Sequence, residues 1–277
     1  MTHELALKAI GSLPPTQEEM MAVASRRLIY RLFTAHGMTT LQKQVAREVP
    51  LKVYVNGGEL ITLVCTPQNL RELALGFLYL EGLIHGLHEV ADLRIRDDEG
   101  IVHVRLTRDV ELPTRRLLLR GCGGGSTFTG PSMQTNKVAS SLRVTPSQIL
   151  GLMDRLYGEA KLYQSTGGVH TSALSDGHQL LVVASDVGRH NTIDKIQGLC
   201  LLKGMDTRER ILLTTGRLST EMLNKGARMQ VPVLVSRSSP TDMAVEIAKT
   251  RGLTLIGYAH SEQIHVYSGQ ERVKQTQ

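Results

Sequence analysis

The chain has 277 residues, a formal net charge of +6 and 41% hydrophobic residues, with 26 glycines and no tryptophan. This is the composition of an ordinary soluble α/β protein of one or two domains, and it excludes disordered and fibrous proteins. No uncharged apolar run approaches the roughly 18 residues that a membrane helix needs, and the start MTHELALKAIGS, with its acidic residue, is unlike a signal peptide.

The charges and the cysteines narrow the expected partners and compartment. Basic residues occur in ones and twos, without interleaved aromatic residues, which argues against nucleic acid as a partner. Phosphate groups on a small ligand would account for the same basic excess. The three cysteines, Cys65, Cys122 and Cys200, are far apart and odd in number. We therefore expect no disulfide framework and a reducing, cytoplasmic location.

In chain order, residues 1–45 form an N-terminal extension whose stretch SRRLIYRLF fits either a strand or a helix. A small α+β domain is predicted over 46–142. Its first hairpin turns at Asn56 and Gly57, and a helix capped by Thr66 with Pro67 in its first turn follows. A second hairpin and a glycine-rich cysteine loop complete this domain.

Residues 143–277 are predicted to form an α/β domain. It opens at Thr145 with a capping box, TPSQ. Apolar runs then alternate with helical segments, the runs being QLLVVAS, RILLTTG, VPVLVS and LTLIGYA. Strict alternation of this kind predicts a largely parallel sheet with helices on both faces.

Polar clusters follow each of these four strands, at 186–191, 215–219, 236–239 and 258–261. Because ligands of open α/β sheets bind outside the carboxyl ends of the strands, we expect the clusters to share one rim. Each cluster precedes or opens a helix, and three of them carry a cation: Arg189, Arg217 and Arg237. The rim therefore suits a multiply charged anion.

The stretch RGCGGGSTFTG places Cys122 between a cation, Arg120, and a run of glycines. The glycines fit neither a dinucleotide-binding motif nor a Walker A loop in their spacing. Arg120 and nearby peptide N–H groups favour the thiolate, and glycines permit close approach of another molecule. Cys122 is thus a candidate nucleophile, whereas Cys65 and Cys200 lie in apolar elements typical of the core.

No site has metal-ligand spacing, since both the C-x-x-C pair and the zinc-deaminase signature are absent from the sequence. Two histidines remain candidates for function. His170 follows two glycines in TGGVHTSAL, and His190 lies in the predicted rim. His170 could equally be a hydrogen-bonded structural residue, and the alternative for His190 is a role in capping or orienting its turn.

With these residues assembled, the chain resembles the formate dehydrogenase accessory sulfurtransferase family, FdhD/NarQ. The resemblance runs from about Glu48 to Gly269. Its motifs are EVPLKVYVNG, TPQNLRELALGFLYLEGLI, RGCGGGS, TGGVHTSAL, SDVGRHNTIDKIQG, TTGRLSTEML, SRSSPTDMAVEIAKTRGLTLIGYA and VYSG. It implies a three-layer, cytidine-deaminase-like α/β catalytic domain that has lost its zinc ligands, beside the smaller α+β domain.

The resemblance also implies a reaction. A loop cysteine receives sulfur from a cysteine desulfurase as a persulfide and passes it to the molybdenum cofactor, in its bis(molybdopterin guanine dinucleotide) form, for formate dehydrogenase. Cys122 matches the first cysteine of the family's frequent C-G-x-C-G motif, while Gly125 replaces the second. The cofactor, bound as substrate through its guanine nucleotide, is expected to contact Arg189, His190, Arg217, Ser219, Arg237, Tyr258, Ala259, His260, Ser261, Glu262 and Gln263.

Two other functions stay open at this stage. One is a cysteine hydrolase in which His170 or His190 serves Cys122 as a base. The other is a cofactor-binding chaperone that forms no covalent sulfur intermediate. The sequence also leaves open whether the chain forms a homodimer.

Overall fold

The computed structural model describes residues 16–112, 116–118, 126–128 and 137–274. The described chain begins with helix α1 (Gln17–Ala24), capped by Thr16, and then forms a two-stranded antiparallel ribbon of β1 (Ser25–Thr34) and β2 (Gly37–Ala46). The stretch that fitted either a strand or a helix is therefore a strand. The base of the ribbon is anchored next to Ala24, which packs in a small cluster with Leu162 and Val169.

A four-stranded sheet follows, with one helix packed on its inner face. Its strand order is β4-β3-β6-β5, with the β3–β6 pair parallel and the other pairs antiparallel. The elements are β3 (Val49–Val55), β4 (Gly58–Cys65), α2 (Leu70–Leu80), β5 (Val90–Arg96) and β6 (Ile101–Leu106). The predicted hairpin, helix and hairpin are confirmed, and Asn56 and Gly57 both take the positive φ that the tight turn requires.

The predicted helix cap at Thr66 is wrong. Helix α2 begins at Leu70, and its N-cap Asn69 makes no side-chain capping bond. The Thr66 hydroxyl instead accepts a hydrogen bond from the backbone N–H of Val187 at 3.1 Å. A long-range contact thus replaces the local cap that the sequence suggested.

Two short strands come next, β7 (Arg116–Leu118) and β8 (Ser126–Phe128), which pair antiparallel. Arg120, Cys122 and Gly125 fall in sequence between them and lie outside the described residues. For the predicted catalytic residue Cys122, only the sequence position is therefore known: it falls between two strands that pair with each other.

The remaining elements build a six-stranded sheet in the order β10-β9-β11-β12-β13-β14. They are α3 (Pro146–Glu159), α4 (Lys161–Thr166), β9 (His170–Ser175), β10 (Leu180–Asp186), α5 (Arg189–Leu202), β11 (Ile211–Thr214), α6 (Thr220–Arg228), β12 (Val233–Ser236), α7 (Asp242–Arg251), β13 (Thr254–His260) and β14 (Gln263–Ser268). The capping box at Thr145 is confirmed at the start of α3.

The sheet is less parallel than predicted. Only β11–β12 and β12–β13 are parallel, while β9 and β14 run antiparallel to their neighbours. The strand prediction missed both of them. β9 contains serine and threonine within a buried strand, and β14 is a half-exposed edge strand without a continuous apolar run.

Helices cover both faces of this sheet. Helix α3 packs on one face through Ile149, Leu152 and Leu156. Helices α5, α6 and α7 cover the other through a core that includes Ile193 and Leu223. The three-layer arrangement is confirmed. Across the described segments, no helix combines the length and apolar character that crossing a membrane would require.

The two sheets are joined by close contact of helix α2 with helix α5. A Cβ placed on Gly76 would collide with the carbonyl of Asp194, and one placed on Gly198 would collide with the carbonyl of Glu72. The two helix backbones therefore touch where both lack side chains, which fixes the small sheet against the large one.

Candidate functional site

The carboxyl ends of β10, β11, β12 and β13 lie at one edge of the six-stranded sheet. Strand β9 begins at this edge and β14 begins beside the end of β13, because both run antiparallel to their partners. We call the segments 186–191, 214–219, 236–239 and 258–263, together with His170, the carboxyl edge. The prediction that the polar clusters share one rim is confirmed.

At the end of β10, the residues of the carboxyl edge are buried in the protein interior. Asp186 is fully buried and lies 2.6 Å from the ammonium of Lys195, which is also fully buried. Its Oδ1 accepts hydrogen bonds from the backbone N–H of Gly188 and the side chain of Asn191, both at 2.8 Å. A buried carboxylate with a cation and several donors is satisfied without any ligand.

The same cluster holds the small sheet in place. The backbone N–H of Thr66 donates to Asp186 at 3.1 Å, and Lys195 donates to the Thr66 carbonyl at 3.2 Å. Asn191 donates to the carbonyl of Val64 at 2.8 Å. The acidic and amide side chains of 186–191 therefore join the two sheets, and their neighbours Arg189 and His190 are the predicted ligand residues of this segment.

Those neighbours, Arg189 and His190, begin helix α5 and are each 7% exposed. The Nε2 of His190 lies 2.8 Å from the Glu221 carboxylate and 3.3 Å from the Ser219 hydroxyl. Ser219 and Glu221 belong to the start of helix α6. The sequence did not single out Glu221, although an acidic residue in the first turn of a rim helix was a usable signal.

His170 lies beside this group at the start of β9. A Cβ placed on Gly216 would lie 2.8 Å from the Cβ of Arg189 and 3.5 Å from the Nδ1 of His170, so the three residues converge. Burial lowers the pKa of His170, and the nearby charges of Arg189 and His190 lower it further. His170 is therefore held in its neutral form, which can both donate and accept a hydrogen bond.

Two of the predicted cations reach solvent. Arg217 is exposed at the end of β11, and Arg237 is exposed after β12, where its guanidinium lies 5.4 Å from the centre of the Tyr157 ring. Stacking on an aromatic face leaves the N–H donors around the guanidinium plane able to meet an anion.

The segment Tyr258 to Gln263 comprises the end of β13, the two-residue turn of Ser261 and Glu262, and the first residue of β14. Tyr258, Ser261 and Glu262 all have positive φ, which is uncommon for residues other than glycine and strained for a tyrosine. Ala259 is buried, whereas Ser261, Glu262 and Gln263 are exposed, and His260 lies 3.1 Å from the Ser261 hydroxyl. The Tyr258 ring lies 5.0 Å from that of His265.

The predicted ligand residues therefore fall into two adjacent groups. Arg189, His190, Arg217 and Ser219 gather around the start of α6, with His170 and Glu221. Arg237 and the segment 258–263 form the other group, and the Tyr258 N–H donates a hydrogen bond to the carbonyl of Ser238, just after β12. The carboxyl edge carries cations in both groups and one exposed carboxylate, Glu262.

Two of the three cysteines belong to the core. Cys65 ends β4 in the core of the small sheet, and Cys200 lies on helix α5 in the core of the large sheet. Burial raises the pKa of Cys65 to about 12 and that of Cys200 to about 11. Neither is a thiolate at neutral pH. The described part of the chain also holds no cluster of three or more metal-binding side chains.

Comparison with known proteins identifies the family. The profile of the FdhD/NarQ family matches residues 46–274. The chain belongs to the FdhD/NarQ family. Among FdhD/NarQ proteins, it is 36% identical over 244 residues to the sulfur carrier protein FdhD of Bacillus subtilis (strain 168), covering 86% of this chain and 93% of that one. It is 37% identical to the sulfur carrier protein FdhD of Staphylococcus aureus (strain MRSA252), covering 83% and 89%.

A solved FdhD/NarQ-like structure has the same fold. The crystal structure of a protein designated a formate dehydrogenase accessory protein, from Desulfotalea psychrophila, superposes with a TM-score of 0.78 at 25% identity. The superposition covers 91% of this chain and 100% of that one. The family match begins at residue 46, so it leaves out most of the N-terminal ribbon.

Proposed function

We propose that this FdhD/NarQ protein is a sulfur carrier that delivers persulfide sulfur to the molybdenum cofactor of formate dehydrogenase. The names of its relatives support sulfur carriage, and that of the Desulfotalea psychrophila protein supports an accessory role for formate dehydrogenase. The reaction makes the protein a sulfurtransferase. The scattered cysteines support a cytoplasmic location.

The observation that carries the proposal is the placement of the cysteines. A sulfur carrier needs a thiol that two different partners can reach in turn. Cys65 and Cys200 are excluded by burial and by their raised pKa values. Cys122, set among glycines beside Arg120 in the sequence, is the thiol that remains.

In the loading step, the Cys122 thiolate attacks the outer sulfur of a persulfide on a cysteine desulfurase. A new S–S bond forms on Cys122, the donor's S–S bond breaks, and the donor cysteine leaves as a thiolate. In the unloading step, the outer sulfur passes to a reduced molybdenum centre, which supplies the two electrons that convert it to sulfide. Cys122 is then released as a thiolate. Since Gly125 replaces the second motif cysteine, one thiol performs both steps.

The carboxyl edge is the proposed binding surface for the cofactor, which enters as substrate in its bis(molybdopterin guanine dinucleotide) form. Arg217 and Arg237 are exposed cations suited to its phosphates, and the buried Arg189 adds positive charge at the start of helix α5. His190 and Ser219 supply polar atoms at the start of α6. The segment Tyr258 to Gln263 is proposed to contact the guanine nucleotide.

We also infer that the six-stranded sheet is the deaminase-like catalytic domain that the resemblance implies. The three-layer arrangement and the antiparallel first strand beside β11 support this inference.

The test is direct detection of the persulfide. The protein is incubated with a cysteine desulfurase and cysteine and then digested with trypsin. The mass of each cysteine-containing peptide is measured by mass spectrometry. We expect one added sulfur on the peptide that contains Cys122, removed by reductant. The peptides of Cys65 and Cys200 serve as internal controls and should stay unmodified, and Cys122→Ala should abolish the added mass.

Other outcomes would support the alternatives. An unmodified Cys122 peptide, with the desulfurase active and nucleotide still bound, would indicate a chaperone without covalent transfer. Turnover of a thioester substrate that depends on Cys122 and His170 would indicate a hydrolase. Formate dehydrogenase matured at the normal rate by Cys122→Ala would contradict the proposal.

A further inference from the structure

At the carboxyl edge, two oxygen atoms contact a single ring nitrogen. The Nε2 of His190 lies 2.8 Å from a carboxylate oxygen of Glu221 and 3.3 Å from the hydroxyl of Ser219. The side chains of His190 and Glu221 are 9% and 11% exposed, so little water competes for this contact. Because a carboxylate accepts hydrogen bonds and donates none, Nε2 carries a proton and donates it to Glu221.

This pairing decides where the hydroxyl proton of Ser219 can go. A protonated Nε2 has no lone pair, so Ser219 cannot donate to it and can only be a second, weaker acceptor. Ser219 is the N-cap residue of α6, yet its side chain makes no capping hydrogen bond. It is partly exposed and lies two residues from the exposed Arg217. Its O–H is therefore able to donate to a ligand bound at this edge.

A second polar pair fixes the two helices that carry His190 and Glu221. Asp194 follows His190 by four residues on α5, and Lys225 follows Glu221 by four residues on α6. Lys225 donates a hydrogen bond to Asp194, and both side chains are buried. Residues four apart share a helix face, so both pairs connect the same faces of α5 and α6. The packing of the helices thus holds Glu221 opposite His190.

Ser219, His190 and Glu221 have the composition of a hydrolytic triad but a different geometry. In such a triad, the acid binds one ring nitrogen of the histidine and the serine binds the other, which removes its proton. Here both oxygen atoms contact Nε2. The ring therefore cannot take the serine proton through that nitrogen, and the proton stays on the hydroxyl.

We propose that Glu221 is a positioning residue of the substrate-binding surface and acts through His190. It accepts the Nε2 proton of His190 and thereby keeps the Ser219 O–H available to donate to a phosphate oxygen of the substrate. This inference rests on the proposed function, which assigns a phosphate-bearing cofactor to the carboxyl edge. It also gives a reason for an acidic side chain among the cations of this surface, since the carboxylate binds His190.

Isothermal titration calorimetry of the full chain with GDP tests the proposal. Glu221→Met keeps the length of the side chain but removes the acceptor, and it should weaken GDP binding by about tenfold, the worth of one hydrogen bond. Glu221→Gln keeps an acceptor oxygen and should bind GDP nearly as well as the wild type. The direction of the effect matters, because a carboxylate that only repelled the phosphates would make both variants bind GDP more tightly.

Two comparisons separate positioning from a general loss of structure. Ser219→Ala should weaken GDP binding by about tenfold in the wild type. It should add little in Glu221→Met, where Nε2 can lose its proton and accept the hydroxyl. Nitrogen NMR of the imidazole rings, with the His190 signals assigned by His190→Ala, should show a protonated Nε2 in the wild type and mixed tautomers in Glu221→Met. This readout does not depend on GDP.

The outcomes distinguish this inference from the proposed function. A wild-type chain that binds no GDP would contradict the proposed cofactor surface, and the role of Ser219 with it. If the wild type binds GDP, equal or tighter binding by Glu221→Met would overturn the inference alone. Additive losses from Ser219→Ala and Glu221→Met, or an unchanged tautomer of His190, would do the same. Hydrolysis of an ester probe that requires Ser219 would indicate a working triad and would also overturn it.

Discussion

At the scale of single residues, the carboxyl edge combines exposed cations with a buried group that is already hydrogen-bonded. His190 is held by Glu221 and Ser219, and His170 stays neutral beside Arg189. Arg217 and Arg237 face solvent. The buried residues thus fix the geometry of the edge, and the exposed arginines provide the charge that an anion would meet.

Arg217→Ala should weaken binding of GDP, the nucleotide part of the proposed substrate. Loss of one charge-assisted hydrogen bond is worth about 2 kcal/mol, which corresponds to roughly a thirtyfold weaker affinity. Isothermal titration calorimetry of GDP at two salt concentrations measures this. Arg208→Ala is the matched control, because Arg208 is exposed but pairs with Asp206 before the start of β11. Equal effects of the two substitutions would contradict a specific phosphate contact.

His170→Gln should reduce the loss of stability on acidification. The pKa of His170 is lowered in the folded protein, so below the ordinary histidine pKa the unfolded chain binds the proton more readily. This residue therefore destabilises the fold as the pH falls from about 6.5. Urea unfolding at pH 7.5 and pH 5.5 should show a larger drop in the free energy of unfolding for the wild type than for the variant. An identical drop would contradict the buried neutral state.

At the scale of elements, two helices define how the sheets meet. Helices α2 and α5 touch through Gly76 and Gly198, and Asp186, Lys195 and Asn191 tie the end of β10 to Thr66 and Val64. Both contacts join segments that are about 120 residues apart in the chain. They make the small sheet part of the same packed structure as the large one.

Gly198→Ala should destabilise the protein, because the added Cβ would collide with the Glu72 carbonyl on helix α2. Overpacking of this kind typically costs about 1–3 kcal/mol. Gly151→Ala, in the middle of α3 with open space around it, is the matched control. There the substitution should stabilise the fold by about 0.5–1 kcal/mol, since alanine favours helices. Urea denaturation measures both, and an unchanged free energy for Gly198→Ala would refute the close helix contact.

The elements also show what sequence patterns can and cannot predict. The strand-end rule placed the polar clusters on one edge because it depends only on strand direction. Thr66 was misassigned because a local capping signal was outweighed by its contacts with Asp186 and Val187, about 120 residues away in the chain. Strands β9 and β14 were missed for lack of an apolar run. The pairing of His190 with Glu221 depends on how α5 and α6 pack, which no spacing in the sequence reveals.

At the scale of the whole molecule, the packing assigns the three cysteines to different roles. The core of the small sheet encloses Cys65, and the core between the large sheet and its helices encloses Cys200. The third cysteine lies in sequence between β7 and β8, which join neither core sheet. A thiol reagent added to the native protein should therefore react faster with Cys122 than with Cys65 and Cys200.

A thiol titration of the native protein at pH 8 should detect about one reactive group per chain, and three after unfolding in urea. Cys65 and Cys200 should react at least about 100-fold more slowly than an accessible thiol, because thiolate is scarce at their raised pKa and burial blocks access. Cys122→Ala should remove the fast phase. Rapid labelling of Cys200 in the native state, located by mass spectrometry, would contradict the enclosed core.

The buried pair of Asp186 and Lys195 has a consequence for mutational studies of this family. Residues 186–191 are contiguous, yet Asp186 and Asn191 join the two sheets, whereas Arg189 and His190 are the residues proposed to contact the substrate. Substitutions within 186–191 would thus abolish activity for two different reasons: some would disrupt the contact between the sheets, and others would weaken substrate binding. Measuring the melting temperature together with activity distinguishes the two cases. A variant with disrupted packing melts at a lower temperature, whereas a variant that only binds the cofactor more weakly keeps the wild-type melting temperature.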